Sequence, residues 1–167
     1  MYVFIKGNML KKVLIWTDGA CSYNPGPGGW AAILKYGKAE KVLSGGKETT
    51  TNNVMELTAV VEGLSALKEK CDVDIHSDSA YVVNAIEQGW LKNWKNNGFR
   101  TADKKPVKNK ELWETLDLLL QKHNVKFVKV KGHANDENNN RCDELARKET
   151  EKFLVTNNNL TSADDSF

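Results

Sequence analysis

Apolar and polar residues follow two different periods along the chain. Short runs rich in apolar and β-branched residues predict strands, whereas apolar residues spaced three or four positions apart predict helices. The predicted strands are Lys12–Thr17, Trp30–Tyr36, Glu40–Ser44, Val73–Ser77 and Val125–Val130. The predicted helices are Thr51–Lys70, Ser79–Gln88, Glu111–His123 and Asn140–Phe153, with Trp90–Lys95 as a further candidate.

Turn and cap residues divide these elements from one another. Gly37-Lys38 predicts a hairpin between two strands, Thr51 is a candidate helix cap, and Gly89 ends a predicted helix. The Gly-, Pro- and Asn-rich segment Asp18–Gly29 predicts a loop. Three strands followed by alternating helices and strands predict the α/β class, with a five-stranded mixed sheet flanked by helices.

The composition is that of one globular domain. The chain has 167 residues, of which 40% are hydrophobic, and a formal net charge of +2. Its three cysteines are odd in number and widely spaced, which argues against a disulfide framework and a zinc site. No apolar run is long enough for a membrane span and residues 1–11 lack a signal-peptide pattern, so we expect a cytoplasmic protein. The expected organisation is an N-terminal extension at 1–11, one domain at 12–155 and a disordered tail at 156–167.

Two of the predicted strands lead directly into an aspartate. Asp18 follows Lys12–Thr17, and Asp78 follows Val73–Ser77. If these strands are parallel neighbours, their carboxyl ends lie about 4.8 Å apart, at the edge where open α/β sheets bind ligands. Two carboxylates there repel each other unless a proton or a cation lies between them, and a hard divalent cation is the natural partner of oxygen ligands.

Two more acids are candidates for the same edge. Glu56 lies beside the apolar stripe of its predicted helix, and Asp143 lies in the first turn of the last predicted helix. Spacing alone places neither of them. A single acid is most often a solvated surface charge, and this is our interpretation of Asp72 and Asp74.

Six short motifs follow one another along the chain. They are TDGAC at 17–21, NPGPGGW at 24–30, TNNVME at 51–56, SDS at 77–79, KGH at 131–133 and RCDELA at 141–146. In this order they resemble the bacterial type 1 ribonucleases H, and the similarity extends over Lys12–Lys152. Any one of these motifs is weak evidence, but six in order are specific.

The resemblance implies a ribonuclease H-like fold and an endonuclease that hydrolyses the RNA strand of RNA–DNA hybrids. The residues it assigns as catalytic carboxylates and metal ligands are Asp18, Glu56, Asp78 and Asp143. It further implies two Mg²⁺ ions during catalysis, for which Mn²⁺ can substitute, and products with 5′-phosphate and 3′-hydroxyl ends. His133, in the fifth motif, is implied to assist proton transfer or product release.

A basic segment follows the second predicted helix. From Leu91 to Lys110 the chain has seven Lys or Arg residues and one Asp, with aromatic residues interleaved. A basic run is usually only a solvated face, but cations beside aromatic rings favour contact with nucleic acid. The segment resembles the protrusion with which bacterial type 1 enzymes bind the DNA strand, and its candidate contacts are Trp90, Lys92, Lys95, Arg100, Lys104 and Lys105. Trp94 and Phe99 fit either a substrate contact or a small core of the protrusion.

The resemblance also assigns residues near the acids to the substrate. Those implied to line the minor groove, where the 2′-hydroxyl identifies RNA, are Cys21, Asn24, Asn52, Asn53 and Glu56. Those implied to hold a DNA phosphate are Thr51 and Asn109. Ala80 stands where the family commonly has glutamine, so one substrate contact is expected to be missing.

Two other functions are compatible with the sequence. One is a nuclease of the same superfold that cuts DNA, such as a transposase or integrase core, and the other is a module that binds hybrids without cutting them. The basic segment and the pair Asn52-Asn53 favour the hybrid nuclease, and the presence of all four acids argues against a non-catalytic module. We therefore expect an RNA–DNA hybrid duplex as the partner, no membrane association, and a monomer.

Overall fold

A mixed β-sheet with helices on both faces forms the described part of the chain. The computed structural model describes residues 1–131 and 136–164, with side chains as far as Val155. Within these residues the strands are β1 (Tyr2–Ile5), β2 (Asn8–Cys21), β3 (Gly26–Tyr36), β4 (Ala39–Thr50), β5 (Cys71–Ser77) and β6 (Asn124–Lys129). The helices are α1 (Asn52–Ser65), α2 (Ala80–Glu87), α3 (Trp90–Asn96), α4 (Lys110–Lys122) and α5 (Glu137–Asp164).

The sheet has the strand order β4-β3-β2-β5-β6, and β1 pairs with the beginning of β2. Strand β5 is parallel to both β2 and β6, whereas β3 is antiparallel to both β2 and β4. The α/β class is therefore confirmed. Strands β2 and β5 are parallel neighbours, which is the condition under which Asp18 and Asp78 lie at the same edge of the sheet.

Alternation along β2 divides its side chains between two apolar cores. Ile15 packs in the larger core, together with Leu57 of α1 and Trp113 of α4. The next residue, Trp16, packs on the other face with Cys142 of α5. Helix α1 therefore covers one face of the sheet and α5 covers the other, so that side chains from both helices can reach the same sheet edge.

The segment predicted as a long loop, Asp18–Gly29, is mostly strand. Strand β2 continues to Cys21 and β3 begins at Gly26, and the two pair as far as Cys21↔Gly28. Several of the glycines that suggested a loop lie in the ladder, where neighbouring backbone leaves no space for a side chain. The loop is therefore reduced to residues 22–25.

Residues 1–11, expected to be an extension, form a hairpin. Strand β1 pairs with the first part of β2 in antiparallel register, from Tyr2↔Lys11 to Ile5↔Asn8, and Gly7 has a φ of 80° in the turn. The five predicted strands form the main path of the sheet, and β1 is a sixth. The sequence pattern missed it because four residues are too few for a period of two to be recognised.

Helix α5 is longer than predicted at both ends. It extends from Glu137 to Asp164, whereas the pattern predicted Asn140–Phe153 and a disordered tail from residue 156. Residues 154–164 contain no Gly or Pro that would interrupt helical hydrogen bonding. Although α5 is the longest helix, no helix in the described residues is both long and apolar enough to span a membrane. The division into extension, domain and tail stays a prediction.

The aromatic residues of the basic segment pack on the larger core. Trp94 of α3 makes an edge contact with Trp113 of α4, with ring centroids 5.3 Å apart, and Phe99 packs against the same core. The indole N–H of Trp113 and the side-chain amide of Asn109 both donate to the hydroxyl oxygen of Tyr81, at 2.9 Å and 3.1 Å. Trp94 and Phe99 are therefore part of the core, and Tyr81 joins α2 to the start of α4.

We expect Tyr81→Phe to lower the free energy of unfolding by about 1–3 kcal/mol, because the buried indole N–H of Trp113 loses its acceptor. Urea unfolding followed by circular dichroism measures the change. Tyr23→Phe, at a residue that is 81% exposed, is the control and should change the stability by less than about 0.5 kcal/mol. Equal effects of the two substitutions would contradict this role of the Tyr81 hydroxyl.

Candidate active site

Asp18 and Asp78 lie where the two central strands separate. The last parallel pair between β2 and β5 is Trp16↔His76, so Asp18 lies two residues beyond it, and Asp78 follows the last residue of β5. Asp18 is still within β2, which continues to pair with β3 at Asp18↔Ala31. The structure therefore brings both aspartates to one edge of the sheet, but the prediction that Asp18 lies beyond its strand is wrong.

Helix α1 brings Glu56 to this edge. Thr51 caps the helix, as predicted, by accepting a hydrogen bond of 3.2 Å from a backbone N–H in the first turn. A Cβ atom at Gly19 would overlap the backbone nitrogen of Glu56, so this glycine is what allows the helix to approach β2. The carboxylate of Glu56 accepts a short hydrogen bond from the hydroxyl of Ser79, in the segment between β5 and α2.

Helix α5 brings Asp143 from the opposite face of the sheet. Its approach depends on Gly29 of β3, where a Cβ atom would overlap the carbonyl oxygen of Ala146. Asp143 forms an ion pair of 2.9 Å with Arg147, one turn further along the helix, and its side chain is 47% exposed. The fourth acid therefore reaches the cluster from a helix surface that is partly open to solvent.

Burial and mutual repulsion raise the pKa values of three of these carboxyl groups. Asp18 is the most affected, since burial raises its pKa to about 8, and the charges of Asp78, Asp143 and Glu56 contribute to this rise. Burial also raises the pKa of Glu56, with a contribution from Asp78. Burial and the charge of Asp143 raise the pKa of Asp78. The four carboxyl groups therefore lie in one electrostatic neighbourhood.

The four acids have the chemistry of a divalent-cation site, but their side chains are not arranged around an ion. In the described residues, no three His, Cys, Asp or Glu side chains lie close enough together to hold a metal. Two of the acids have protein partners instead, since Glu56 accepts from Ser79 and Asp143 pairs with Arg147. Carboxylates that raise one another's pKa are the ligands that a hard cation neutralises. The donor set therefore fits such a cation by its chemistry, and Glu56 and Asp143 would bind it in place of these partners.

Fold and site together define an α/β protein with a cluster of acids at the carboxyl edge of its central parallel strands. The RNase H family model matches residues 10–151. The chain is 60% identical to ribonuclease H of Chlorobium phaeovibrioides over 139 residues, which are 83% of this chain and 95% of that protein. It is 56% identical to ribonuclease H of Clostridium botulinum over 149 residues, which are 87% of this chain and 100% of that protein. The chain therefore belongs to the ribonuclease H family.

Solved structures have the same fold. LC9-RNase H1, described as a type 1 RNase H with the type 2 active-site motif, matches with a TM-score of 0.76 at 22% identity, over 86% of this chain and 74% of that chain. LC11-RNase H1, solved in complex with an RNA/DNA hybrid, matches with a TM-score of 0.65 at 24% identity, over 85% of this chain and 99% of that chain. The expected ribonuclease H-like fold is confirmed.

The residues predicted to contact the minor groove lie on adjoining segments. Cys21 ends β2, and its thiol donates to the carbonyl oxygen of Thr50 at 3.4 Å. The side-chain oxygen of Asn24 accepts a hydrogen bond of 3.2 Å from the backbone N–H of Asn52, which joins the loop after β2 to the start of α1. Asn53 lies in the same first turn of α1. The structure thus brings these residues together, and their contacts with substrate stay predictions.

The predicted contacts with the DNA strand lie on the basic protrusion, residues 90–110. Its exposed candidates are Trp90, Lys92, Lys95, Arg100, Lys104 and Lys105. Lys95 also pairs with Asp117 of α4 at 3.4 Å, so it supports the protrusion as well. Asn109 lines a cavity of about 840 Å³ between α1 and the start of α4, whereas Thr51 is not one of its lining residues. The joint role of Thr51 and Asn109 in holding a phosphate stays a prediction.

Some side chains at the site were missed by the sequence analysis. Ser79 caps α2 and also holds Glu56, and its position directly before an apolar helix was a usable signal. Arg147 pairs with Asp143 at the i,i+4 spacing of a helix, which the sequence also contained. His133 lies outside the described residues, so its role stays a prediction.

Asp72 and Asp74 lie apart from the acid cluster, near the beginning of the parallel strands. The ammonium group of Lys12 pairs with both carboxylates, at 2.8 Å and 2.7 Å. Asp72 is buried, so interpreting it as a solvated surface charge was wrong. Its charge is instead neutralised within the protein.

We expect the metal-free protein to lose stability as the pH rises from about 4 to about 8. In the unfolded chain Asp18 ionises near pH 4, whereas its pKa in the folded protein is raised to about 8. Between these values the folded state binds the extra proton, so raising the pH favours unfolding. Asp18→Asn should remove much of this dependence and raise the unfolding free energy at about pH 8 by on the order of 2 kcal/mol.

Chemical denaturation in EDTA at about pH 5 and about pH 8 measures this dependence. Asp103→Asn, at an exposed acid of the protrusion, is the control and should leave the pH dependence unchanged. A dependence in Asp18→Asn as steep as in the wild type would show that another group causes it.

Proposed function

We propose that this chain hydrolyses the RNA strand of RNA–DNA hybrids and leaves 5′-phosphate and 3′-hydroxyl ends. The observation that carries the proposal is the cluster of four acids at one sheet edge, in a member of the ribonuclease H family. Carboxylates that raise one another's pKa are stabilised by a proton or by cations that share their charge, and cations can activate water against a phosphodiester without a covalent nucleophile from the protein.

We propose Mg²⁺ as the cofactor, with two ions at the site during catalysis and Mn²⁺ as a substitute. When bound, the ions lower the pKa of water and stabilise negative charge on the phosphate. Asp18 lies within the electrostatic reach of the other three acids, so it would be a ligand central to the cluster when the ions are bound. Asp78 acts from the neighbouring strand, and Glu56 and Asp143 act from helices on opposite faces of the sheet.

The protein's own groups orient the acids. The backbone N–H of Gly19 donates to one oxygen of Asp18 at 2.9 Å, which fixes that side chain. Ser79 holds Glu56, and Arg147 holds Asp143, through contacts that a cation can replace. For His133 we propose the auxiliary role implied by the resemblance, in proton transfer or product release.

We propose that the hybrid is recognised on two surfaces. The end of β2 and the start of α1 contact the minor groove, where the 2′-hydroxyl distinguishes RNA from DNA. The exposed cations of the protrusion contact phosphates of the DNA strand. A protein of the same fold, LC11-RNase H1, has been solved with an RNA/DNA hybrid, which supports a duplex as the substrate.

We further propose that the protein acts as a cytoplasmic monomer. Its three cysteines are unpaired, which suits a reducing compartment. Size-exclusion chromatography with light scattering measures the oligomeric state directly.

Cleavage of matched RNA–DNA, RNA–RNA and DNA–DNA duplexes tests the proposed function. With Mg²⁺ we expect cleavage of the RNA strand of the hybrid alone, and with EDTA no cleavage. Asp18→Asn should lower the rate by more than about 10³-fold, because it removes a charged ligand at nearly constant volume. The control Glu62→Gln, at an exposed acid of α1, should stay within about twofold. Cleavage of DNA–DNA would instead indicate a DNA nuclease, and binding of the hybrid without cleavage would indicate a non-catalytic module.

Ala80→Gln tests the departure from the family at the start of α2. We expect this substitution to lower KM for the hybrid about twofold to tenfold with little change in kcat, because a restored hydrogen bond strengthens binding in the ground and transition states alike. Ala80→Met has similar length without the amide and is the matched control. An equal fall in KM with both variants would show that the amide is not the cause.

A further inference from the structure

Trp16 contacts the two other structural elements that carry an aspartate of the cluster. It lies on β2 two residues before Asp18 and is 8% exposed. Its ring stacks on His76 of β5, with centroids 4.7 Å apart and planes 14° apart. Its indole N–H donates to the carboxylate of Asp136, the residue before α5, at 3.3 Å. One side chain therefore joins β2, β5 and the beginning of α5.

Asp136 is the N-cap of α5. Its second carboxylate oxygen accepts a hydrogen bond of 3.0 Å from the backbone N–H of Asn139, and its carbonyl oxygen accepts one of 3.0 Å from Asn140. The first turn of a helix is destabilised when its N–H groups lack such acceptors. The same carboxylate thus orders the first turn of α5 and connects it to the sheet through Trp16.

A second contact fixes α5 to the same residue of β2. The thiol of Cys142 donates to the carbonyl oxygen of Trp16 at 3.3 Å. Burial, with a contribution from the charge of Asp18, raises the pKa of Cys142 to about 12, so the thiol keeps the proton that it donates. Because Cys142 directly precedes Asp143, Trp16 contacts α5 both at its start and beside its acid.

We propose that Trp16 is a positioning residue for Asp143, and that the hydrogen bond from its indole to Asp136 sets this carboxylate relative to Asp18 and Asp78. Asp143 lies on α5 directly after Cys142, so the position of its carboxylate follows the position of α5 on the sheet. The inference rests on the proposed function, because it assigns the alignment to cation binding by the cluster.

Trp16→Phe keeps an aromatic ring beside His76 and removes the indole N–H. We expect the backbone amides of Asn139 and Asn140 to exchange with deuterium faster, because their cap is less fixed. Mg²⁺ alone, titrated by isothermal calorimetry, should bind about fivefold more weakly, the effect of one lost hydrogen bond. The Mg²⁺ concentration for half-maximal hybrid cleavage should rise by the same factor, with kcat at saturating Mg²⁺ within about twofold of the wild type.

Trp113→Phe is the matched control for lost stability. It removes an indole N–H from the other core, where that group donates to Tyr81. We expect it to lower stability and leave Mg²⁺ affinity unchanged. If both variants weaken Mg²⁺ binding equally, reduced stability rather than alignment is the cause, and the proposal is overturned.

Asp136→Ser separates the cap from the link to the sheet, because serine supplies a capping oxygen but is too short to replace the acceptor of Trp16. Added to Trp16→Phe, it should cause no further loss of Mg²⁺ affinity, since both substitutions break the same bond. Additive losses, or normal Mg²⁺ affinity in Trp16→Phe, would overturn the proposal. If the wild type binds Mg²⁺ but leaves hybrids uncut, the proposed function fails, and the Mg²⁺ titrations still decide the role of Trp16.

Discussion

Repulsion among partly buried carboxylates is the constraint on which the candidate active site depends. Asp18 illustrates its size, since burial and its acidic neighbours raise its pKa to about 8. Apolar packing on both faces of β2 holds the acid there in spite of this cost. Gly19 and Gly29 are needed for the same reason, because they let the backbones of α1 and α5 come close enough to add Glu56 and Asp143. The fold therefore concentrates acidic groups at one edge of the sheet, and looser packing of α1 and α5 on the sheet would leave them farther apart.

Acids at the two ends of the parallel strands β2 and β5 have different kinds of hydrogen-bonding partner. Near their beginning, Lys12 neutralises Asp72 and Asp74 within the protein. At their carboxyl edge, Asp18 is held by a backbone N–H and Glu56 by a hydroxyl, groups that orient a carboxylate without cancelling its charge. Asp143 does pair with Arg147, but both side chains are partly exposed, so the contrast between the two ends of the strands still favours a cluster that an external cation can enter.

Local chemistry made part of this structure predictable from the sequence. The cap at Thr51 and the hairpin turn after Tyr36 are present because each depends on neighbours within a few residues. The prediction of a loop at Asp18–Gly29 was wrong. From sequence alone, a strand glycine against which a helix packs closely looks the same as a glycine in a turn. Placing Glu56 and Asp143 beside Asp18 required the resemblance to a family, since spacing does not report how helices pack on a sheet.

The contacts of Trp16 were beyond sequence reasoning for a related reason. Its partners are 60 and 120 positions away along the chain, and only the strand register and the docking of α5 bring them near. Yet the same register has a simple consequence. Asp18 and Asp78 each lie two residues beyond the pair of Trp16 with His76, so this pairing brings both acids to the same edge of the sheet. A slip of one residue between β2 and β5 would separate the two rings and would also displace Asp18 relative to Asp78. The stacking of Trp16 on His76 therefore indicates the strand register that brings these two acids together.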